Sequence, residues 1–167
     1  YIMPNTFTKA RPEESRFYYS FISANFYNTA TSGTIFVPLN GYIIEQAGDT
    51  TTGGEYIGLI APYNGILVKV MIRSENSIRH TLKCELVTAS DNTEVPATSV
   101  GEIENDFSGL GNALTDDTTY TYDFTGTLDS GVNTFSKGQV LAVRFEIGGS
   151  AFGDAYCMTV WKYDVTT

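Results

Sequence analysis

The feature that most constrains this chain is a strict alternation of apolar and polar residues in several short segments. A period of two places successive side chains on opposite faces of a β-strand, so one face of each segment is expected in a core. In three segments the polar face carries Lys, Arg or Glu, which identifies the other face as the buried one. The predicted core positions are Ile66, Val68, Val70 and Ile72, then Leu82, Cys84 and Leu86, then Leu141, Val143, Phe145 and Ile147.

Residues 54–73 combine strand and turn signals and organise the middle of the chain. They predict a short strand at 56–60, a tight turn at 62–65, and then the longest alternating strand of the protein. Proline presets the first φ angle of such a turn, and Asn or Gly tolerates a positive φ. The outward positions of the long strand are predicted to be Leu67, Lys69, Met71 and Arg73.

Strand-like segments recur along the chain, separated by turn residues. The separators include a hairpin signal at 40–41 with a return strand at 42–44, a loop at 48–54 and a turn at 135–138. We count about eight to ten strand-like segments, with no helix longer than a turn, and this pattern favours an all-β fold built as an antiparallel β-sandwich. A jelly roll is the preferred topology; an immunoglobulin-like sandwich is the alternative, but the Cys…Trp…Cys spacing is absent. A length of 167 residues predicts one domain, residues 16–167. Residues 1–15, with two prolines and little apolar content, predict an extended N-terminal arm, or alternatively a frayed terminus.

The longest interruption of the strand pattern is the polar, glycine-bearing region 88–119. We predict a loop there, and loops of this length are usually functional or poorly ordered. Glu102, Glu104 and Asp106 alternate within it, so in an extended conformation their oxygens would share a face and could hold Ca²⁺. A solvated acidic loop is the preferred explanation, and no metal site is predicted.

The charge of the chain limits its partners. The formal net charge is −9, with only ten Lys and Arg residues, whereas nucleic acid binding requires a basic surface. No apolar run approaches the ~20 residues of a membrane helix. We therefore expect neither nucleic acid nor membrane as a partner. The two cysteines, Cys84 and Cys157, are expected as buried free thiols rather than as a disulfide.

The sequence contains no recognisable catalytic constellation. His80 is the only histidine, no Gly-x-Ser-x-Gly motif is present, and the glycine-rich segment 148–153 lacks the lysine of a phosphate-binding loop. Abundant carboxylates on a β-scaffold leave an enzyme such as a polysaccharide depolymerase as an alternative, but no pair of acids is distinguished by its context. We predict a protein that is not an enzyme and needs no cofactor.

The segment 17–27 contains six aromatic residues among eleven. A strand this aromatic on both faces is expected either in a sandwich core or between subunits. In strict alternation Phe17, Tyr19 and Phe21 share one face, and Tyr18 lies on the other. The predicted partner interface consists of Phe17, Tyr18, Tyr19, Phe21, Phe26 and Tyr27, with Arg11 and Pro12 from the arm.

Four segments resemble virion proteins of tailed bacteriophages, notably of marine and cyanobacterial phages. The first is IAPYNGILVKVMIRSE at 60–75, which resembles an "apolar-APY/F-x-G-x-L-x-x-V-x-x-R" segment of such proteins. The others are FVPLNGYIIE at 36–45, FSKGQVLAVRFE at 135–146 and TVWKYD at 159–164. Together they cover about half of the chain and include no catalytic residue.

The resemblance implies a structural protein of the virus particle, with a jelly-roll-like fold and many copies per particle. It implies a capsid decoration (cement) protein that contacts the major capsid protein or another virion protein, commonly as a trimer. The alternative is a head- or tail-fibre domain that binds host surface glycans. It is suggested by the region 88–119 and by spare tyrosines available for sugar binding, namely Tyr42, Tyr56, Tyr63, Tyr120 and Tyr122.

Overall fold

The computed structural model describes residues 16–39, 58–89, 98–109 and 113–165. Within these ranges the chain forms eleven β-strands and no helix, so no described segment is a helix that could cross a membrane. The strands are β1 (Phe17–Asn28), β2 (Ser32–Phe36), β3 (Leu59–Ile60), β4 (Asn64–Ser74), β5 (Thr81–Ala89), β6 (Thr98–Asp106), β7 (Thr119–Asp123), β8 (Ser130–Gly131), β9 (Thr134–Phe135), β10 (Val140–Gly148) and β11 (Gly153–Asp164).

The strands form two sheets in which every pairing is antiparallel. The first, called the β1 sheet, has the order β1-β11-β4-β7, with β9 also paired to β4. The second, called the β2 sheet, has the order β2-β10-β5-β6-β8, with β3 also paired to β10. The predicted antiparallel β-sandwich is confirmed.

The strand order identifies the sandwich as a jelly roll. Three strands have only two residues, and the remaining eight divide into the sets β1-β11-β4-β7 and β2-β10-β5-β6. Along the chain, successive long strands pass from one sheet to the other, except for the adjacent pair β5 and β6. Eight strands in two four-stranded antiparallel sheets with this interleaving are the jelly-roll arrangement.

A single large hydrophobic core fills the space between the sheets. The core positions predicted in β5 and β10 are confirmed, since all of them are buried. The Tyr122 hydroxyl donates a hydrogen bond of 3.1 Å to the Leu82 carbonyl and thereby joins the two sheets. Cys84 and Cys157 are buried free thiols, as predicted, and burial raises the pKa of both.

Strand β4 departs from the predicted alternation because it contains a bulge. Val160 of β11 pairs with Lys69 and the next residue, Trp161, pairs with Leu67, so Val68 is left without a partner in the register. An extra residue reverses which side chains face inward on either side of it. Leu67, Val70 and Ile72 are fully buried, whereas Ile66 and Val68 are only partly buried. The assignment of Ile66 and Val68 to the core and of Leu67 to the surface was wrong.

The segment predicted as the longest alternating strand is not the longest strand of the structure. Strand β4 has eleven residues, one fewer than β1 and β11.

The segment between β3 and β4 is a corner between the two sheets. Strand β3 pairs with β10 in the β2 sheet, whereas β4 lies in the β1 sheet. The Ala61 amide donates to Gln139 O and the Ala61 carbonyl accepts from Gly138 N, at 2.9 Å each, which holds the corner against the predicted turn at 135–138. The chain therefore changes sheets at the turn predicted for residues 62–65.

The prediction of a loop over residues 88–119 was wrong in large part. Strand β5 continues to Ala89, and β6 pairs with it from Asp106 to Thr98, except at Val100, which a register shift leaves without a partner in the register. Only Val100 and Ile103 of β6 have large apolar side chains, and they are three residues apart, so the period of two is hidden. Pairing with β5, and not hydrophobic alternation, makes this segment a strand. Beyond it, Ile78 and Leu114 form an isolated bridge.

Several predictions concern residues outside the described ranges. They are the extended arm at 1–15, the hairpin signal at 40–41 with its return strand 42–44, the loop at 48–54, and the first two residues of the strand predicted at 56–60. They stay predictions, as do the domain boundaries.

Candidate interaction surface

Strand β1 forms one edge of the β1 sheet. It pairs with β11 over twelve residues, from Phe17 opposite Asp164 to Asn28 opposite Gly153, without a register shift. Among the described residues, no strand pairs with its other edge. The strand contains no proline, no charged residue and no bulge, which are the features that normally protect an edge strand from further pairing.

The side chains of β1 alternate between the core and the exterior. Ala24 and Phe26 point inward and are buried, while Phe17, Tyr19, Phe21 and Tyr27 point outward and are exposed. Phe21, at 66% exposure, is the most exposed of these outward rings. The outward side of β1 is therefore largely aromatic and accessible.

Strand β11 extends this surface across the sheet. Tyr156 and Met158 lie opposite Asn25 and Ser23 of β1 in the register, and both are exposed. We call the outward side chains Phe17, Tyr19, Phe21, Tyr27, Tyr156 and Met158 the aromatic face. Next to it lies a shallow depression of about 370 Å³, lined by Ser23, Asn25, Met71, Arg73, Tyr156 and Met158 among others.

At its start β1 is exposed on both faces. Tyr18 lies on the same side of the strand as Ala24 and Phe26, but it is 60% exposed. Its ring stacks on that of Tyr163 at a centroid distance of 6.5 Å. The large apolar side chains of the first five residues of β1 are thus accessible on both sides of the strand.

Charged side chains at the rim of the aromatic face contact an aromatic ring or an opposite charge. The Lys162 ammonium lies 3.8 Å from the centroid of the Phe17 ring, a cation–π contact. Further along the sheet, Arg73 pairs with Asp117 at 3.1 Å and Lys69 lies 3.9 Å from Asp123. Exposed pairs of this kind contribute little energy. The surface thus offers apolar contact area with a paired polar rim, which is the anatomy of a protein interface.

The structure gathers five of the predicted interface residues on this edge: Phe17, Tyr18, Tyr19, Phe21 and Tyr27. Phe26 is different, because it is 5% exposed and packs edge-on against Phe152 with centroids 5.9 Å apart. Its assignment to a partner interface was wrong, because Phe26 lies on the side of β1 that faces the core. Arg11 and Pro12 lie outside the described residues.

The contribution of β11 to this surface was not predicted from the sequence. Tyr156 and Met158 alternate with Ala155 and Cys157, so the period of two in Gly153–Asp164 already separated an outward set from a buried set. The sequence alone does not show that β11 pairs with β1. This pairing places Tyr156 and Met158 beside the aromatic strand.

The groups considered for chemistry do not assemble into a site. His80 is exposed and its ring lies against the backbone of Gly149. Glu102, Glu104 and Asp106 do share the outward face of β6, but Glu102 lies 4.0 Å from Lys83. Within the described ranges no three His, Cys, Asp or Glu side chains are placed to hold a metal ion.

A second depression, of about 330 Å³, lies where β6 and β7 adjoin. Its lining includes Asn105, Asp106, Thr115, Thr118 and Thr119 together with the rings of Phe107 and Tyr120. The Tyr120 hydroxyl donates a 2.9 Å hydrogen bond to Asn105 Oδ1, and its ring packs edge-on against Phe107 at 5.1 Å. The Ser108 hydrogen bonds to Asp106 lower the pKa of that carboxyl. The spare tyrosine Tyr122 is buried and does not contribute to this surface.

Comparison with known proteins gives matches among solved structures alone. No family model and no curated protein matches the chain. One similar chain comes from the cyanophage Pam1 capsid asymmetric unit, at 16% identity and a TM-score of 0.32, covering 96% of this chain and 98% of that one. Another comes from the structure of infectious bursal disease virus Gt strain, at 11% identity and a TM-score of 0.32, covering 92% of this chain. This chain spans 37% of the length of that second one. Because the identities and TM-scores are this low, the jelly-roll assignment rests on the strand order of this chain and not on these two matches.

Proposed function

We propose that this chain is a non-enzymatic structural protein of a virus particle and serves as a capsid decoration (cement) protein. The observation that carries the proposal is the exposed aromatic face on a jelly-roll scaffold. The resemblance of residues 60–75 and three further segments to tailed-phage virion proteins supports the choice of a particle as its location.

Physical reasoning links the aromatic face to a binding role. Large exposed apolar patches on soluble proteins mark interaction sites, because water around them is released on contact. An uncharged edge strand also exposes backbone donors and acceptors that another protein can cover or pair. Tyr and Phe rings supply much contact area at little cost in conformational entropy, which suits a stable assembly contact.

The proposed partners follow from the same resemblance. They are further copies of the chain, arranged as a trimer, and the major capsid protein or another virion protein. In this proposal the N-terminal arm, residues 1–15, reaches a neighbouring subunit of the shell. The chain's net charge of −9 keeps unassembled copies apart until specific contacts form.

The test is a reconstruction of the particle encoded by the same genome, together with protein mass spectrometry of purified particles. We expect many copies per particle and density of jelly-roll shape in threefold clusters on the shell. Absence of the chain from purified particles would contradict the proposal. Density on the tail or on projecting fibres would contradict the decoration role.

A binding assay tests the arm separately. The full chain and a variant lacking residues 1–15 are mixed with shells stripped of the protein and sedimented. We expect weaker co-sedimentation of the truncated variant, with unchanged near-ultraviolet circular dichroism as the control for folding. Equal binding of the two proteins would show that the arm plays no part in attachment.

The second candidate function is a fibre domain that binds host surface glycans. The depression between β6 and β7 favours it, because carboxylate, amide and hydroxyl groups there lie beside the half-buried ring of Tyr120. Sugars are bound by such hydrogen-bonding groups together with ring stacking. A glycan array with the isolated chain is the test. Binding that Asp106→Ala abolishes would support this function, and no binding to host envelope glycans would remove it.

A further inference from the structure

We infer that the aromatic face and the β1 edge are the contact between copies of this chain. The inference rests on the proposed function in treating this surface as a protein interface, and it names the occupant. Three observations carry it: the distribution of charge along the chain, the shallow relief of the surface, and its area.

Strand β1 contains no charged residue. Residues 17–44 form the longest stretch of the sequence without Asp, Glu, Lys or Arg, and β1 opens that stretch. Two copies that each carry a net charge of −9 repel at long range, and like charges placed opposite each other on paired strands destabilise the contact. An uncharged edge is the surface on which two such copies can meet without that repulsion.

Several acidic residues lie on the opposite side of the sandwich, whereas Asp154 and Asp164 lie on β11, opposite Tyr27 and Phe17 of β1. Glu102 and Glu104 lie on β6, and Asp129, whose carboxylate accepts a hydrogen bond from the Glu104 amide, lies beside them. The Tyr120–Asn105 hydrogen bond places β6 next to β7, which is the far edge of the sheet that begins with β1. A contact through β1 therefore holds these acids of two copies far apart.

The shape of the surface also fits a second copy. The aromatic face lies on neighbouring strands of one sheet, and the depression beside it is shallow. A surface with no deep pocket does not select a particular side chain of a partner. Aromatic rings pack favourably on other aromatic rings in edge-on or offset geometry, so the face is complementary to itself.

The exposed area provides about two thirds of what a stable association needs. The aromatic side chains of the face, Phe17, Tyr19, Phe21, Tyr27 and Tyr156, are between 46% and 66% exposed. Taking about 200 Å² for each fully exposed ring, they offer roughly 530 Å² per copy. Stable protein interfaces bury about 800 Å² per partner, and the remaining area is within reach of Met158 and the backbone of β1.

The experiment is a measurement of mass in solution by sedimentation equilibrium over a range of protein concentrations. The test variant is Phe21→Lys, which places a charge at the most exposed ring of β1. The control is Val132→Lys, which makes the same charge change at another exposed apolar side chain, next to β8. Fluorescence of the buried Trp161 and the melting temperature report whether each variant is folded.

We expect the wild-type chain to form dimers or trimers, and Phe21→Lys to raise the dissociation constant by about tenfold or more, as replacement of a central aromatic contact does. Val132→Lys should leave it unchanged. A wild-type chain that is monomeric throughout the range would overturn the inference, as would an oligomer that Phe21→Lys leaves intact or that both variants weaken equally.

These results separate the inference from the proposed function. A monomeric chain that binds stripped shells would contradict the contact between copies and leave the virion role standing. A chain that forms oligomers through β1 but does not bind shells would contradict the decoration role and leave the contact standing.

Discussion

Arg144 and Glu85 lie directly opposite each other on β10 and β5, and their side chains form a two-pronged ion pair on the outward side of the β2 sheet. Arg144 Nε donates to one carboxylate oxygen at 2.6 Å and Nη2 to the other at 3.2 Å. The Glu85 side chain is 4% exposed and that of Arg144 is 17% exposed. The alternation in the sequence predicted that both side chains point away from the core, and they do. It did not predict that Glu85 would be buried on that outward side.

The first prediction concerns the pH dependence of this pair. Burial by itself raises the pKa of Glu85, but the hydrogen bonds and charge of Arg144 outweigh it, so the pKa lies below its usual range. A carboxyl with a lowered pKa stabilises the fold above about pH 4.3, its unfolded value, and that contribution is lost as the pH falls through the folded value. Urea unfolding at neutral and acidic pH should show a larger loss of stability in the wild type than in Glu85→Gln, in which the remaining loss comes from other carboxyls with lowered pKa values, Asp106 and Asp123.

The same pair gives a prediction at neutral pH. Glu85→Ala leaves the Arg144 guanidinium without its partner and should lower the free energy of unfolding by about 3–5 kcal/mol. The double variant Glu85→Leu with Arg144→Met removes both charges and should be near the wild type or more stable. A single variant as stable as the wild type would show that water replaces the lost contact.

Gly65 is predicted to be intolerant of a side chain. A Cβ at this position would meet the Lys162 carbonyl oxygen and lie 2.7 Å from Cζ of Phe135. Because the carbonyl belongs to the paired strand β11, it cannot move aside easily, and Gly65→Ala should cost about 1–3 kcal/mol of stability. Gly148→Ala is the control, since nothing lies within 4 Å of its Cβ and it should be neutral or slightly stabilising. Thermal unfolding of both variants makes the comparison.

The two thiols are predicted to be unreactive in the folded protein. Cys84 and Cys157 are buried, and their raised pKa values disfavour the reactive thiolate. A thiol reagent such as dithionitrobenzoate should label neither in native buffer and both in denaturant. Rapid labelling of the native protein, or no free thiol after unfolding without reductant, would contradict the free buried state.

The Tyr122 hydroxyl is predicted to stabilise the packing of one sheet on the other. Its hydrogen bond to the Leu82 carbonyl is buried, so Tyr122→Phe should lower the free energy of unfolding by about 0.5–1.5 kcal/mol. Tyr63→Phe removes a hydroxyl from a partly exposed ring and serves as the control, with no expected change. Equal effects of the two substitutions would show that the hydrogen bond contributes nothing.

The candidate site was predictable in part, for an identifiable reason. Five of the exposed aromatic residues stood out by composition alone, because six aromatics in eleven residues are conspicuous in any register. Phe26 was misassigned because composition does not distinguish the two faces of a strand, and the first residues of β1 are exposed on both. Tyr156 and Met158 were missed because they adjoin this strand only through pairing with a segment more than a hundred residues away.

By itself, the sequence determined the all-β class, the sandwich, and the core faces of β5 and β10, because a period of two is a local property of the chain. Only the tertiary structure decided the positions of the Val68 bulge, of β6 and of Glu85. Each depends on a strand distant in sequence: β11 sets the register that leaves Val68 unpaired, β5 supplies the hydrogen bonds that make β6 a strand, and β10 brings Arg144 to Glu85. Long-range pairing also placed the uncharged aromatic strand at a sheet edge, where its side chains are exposed for contact with another chain.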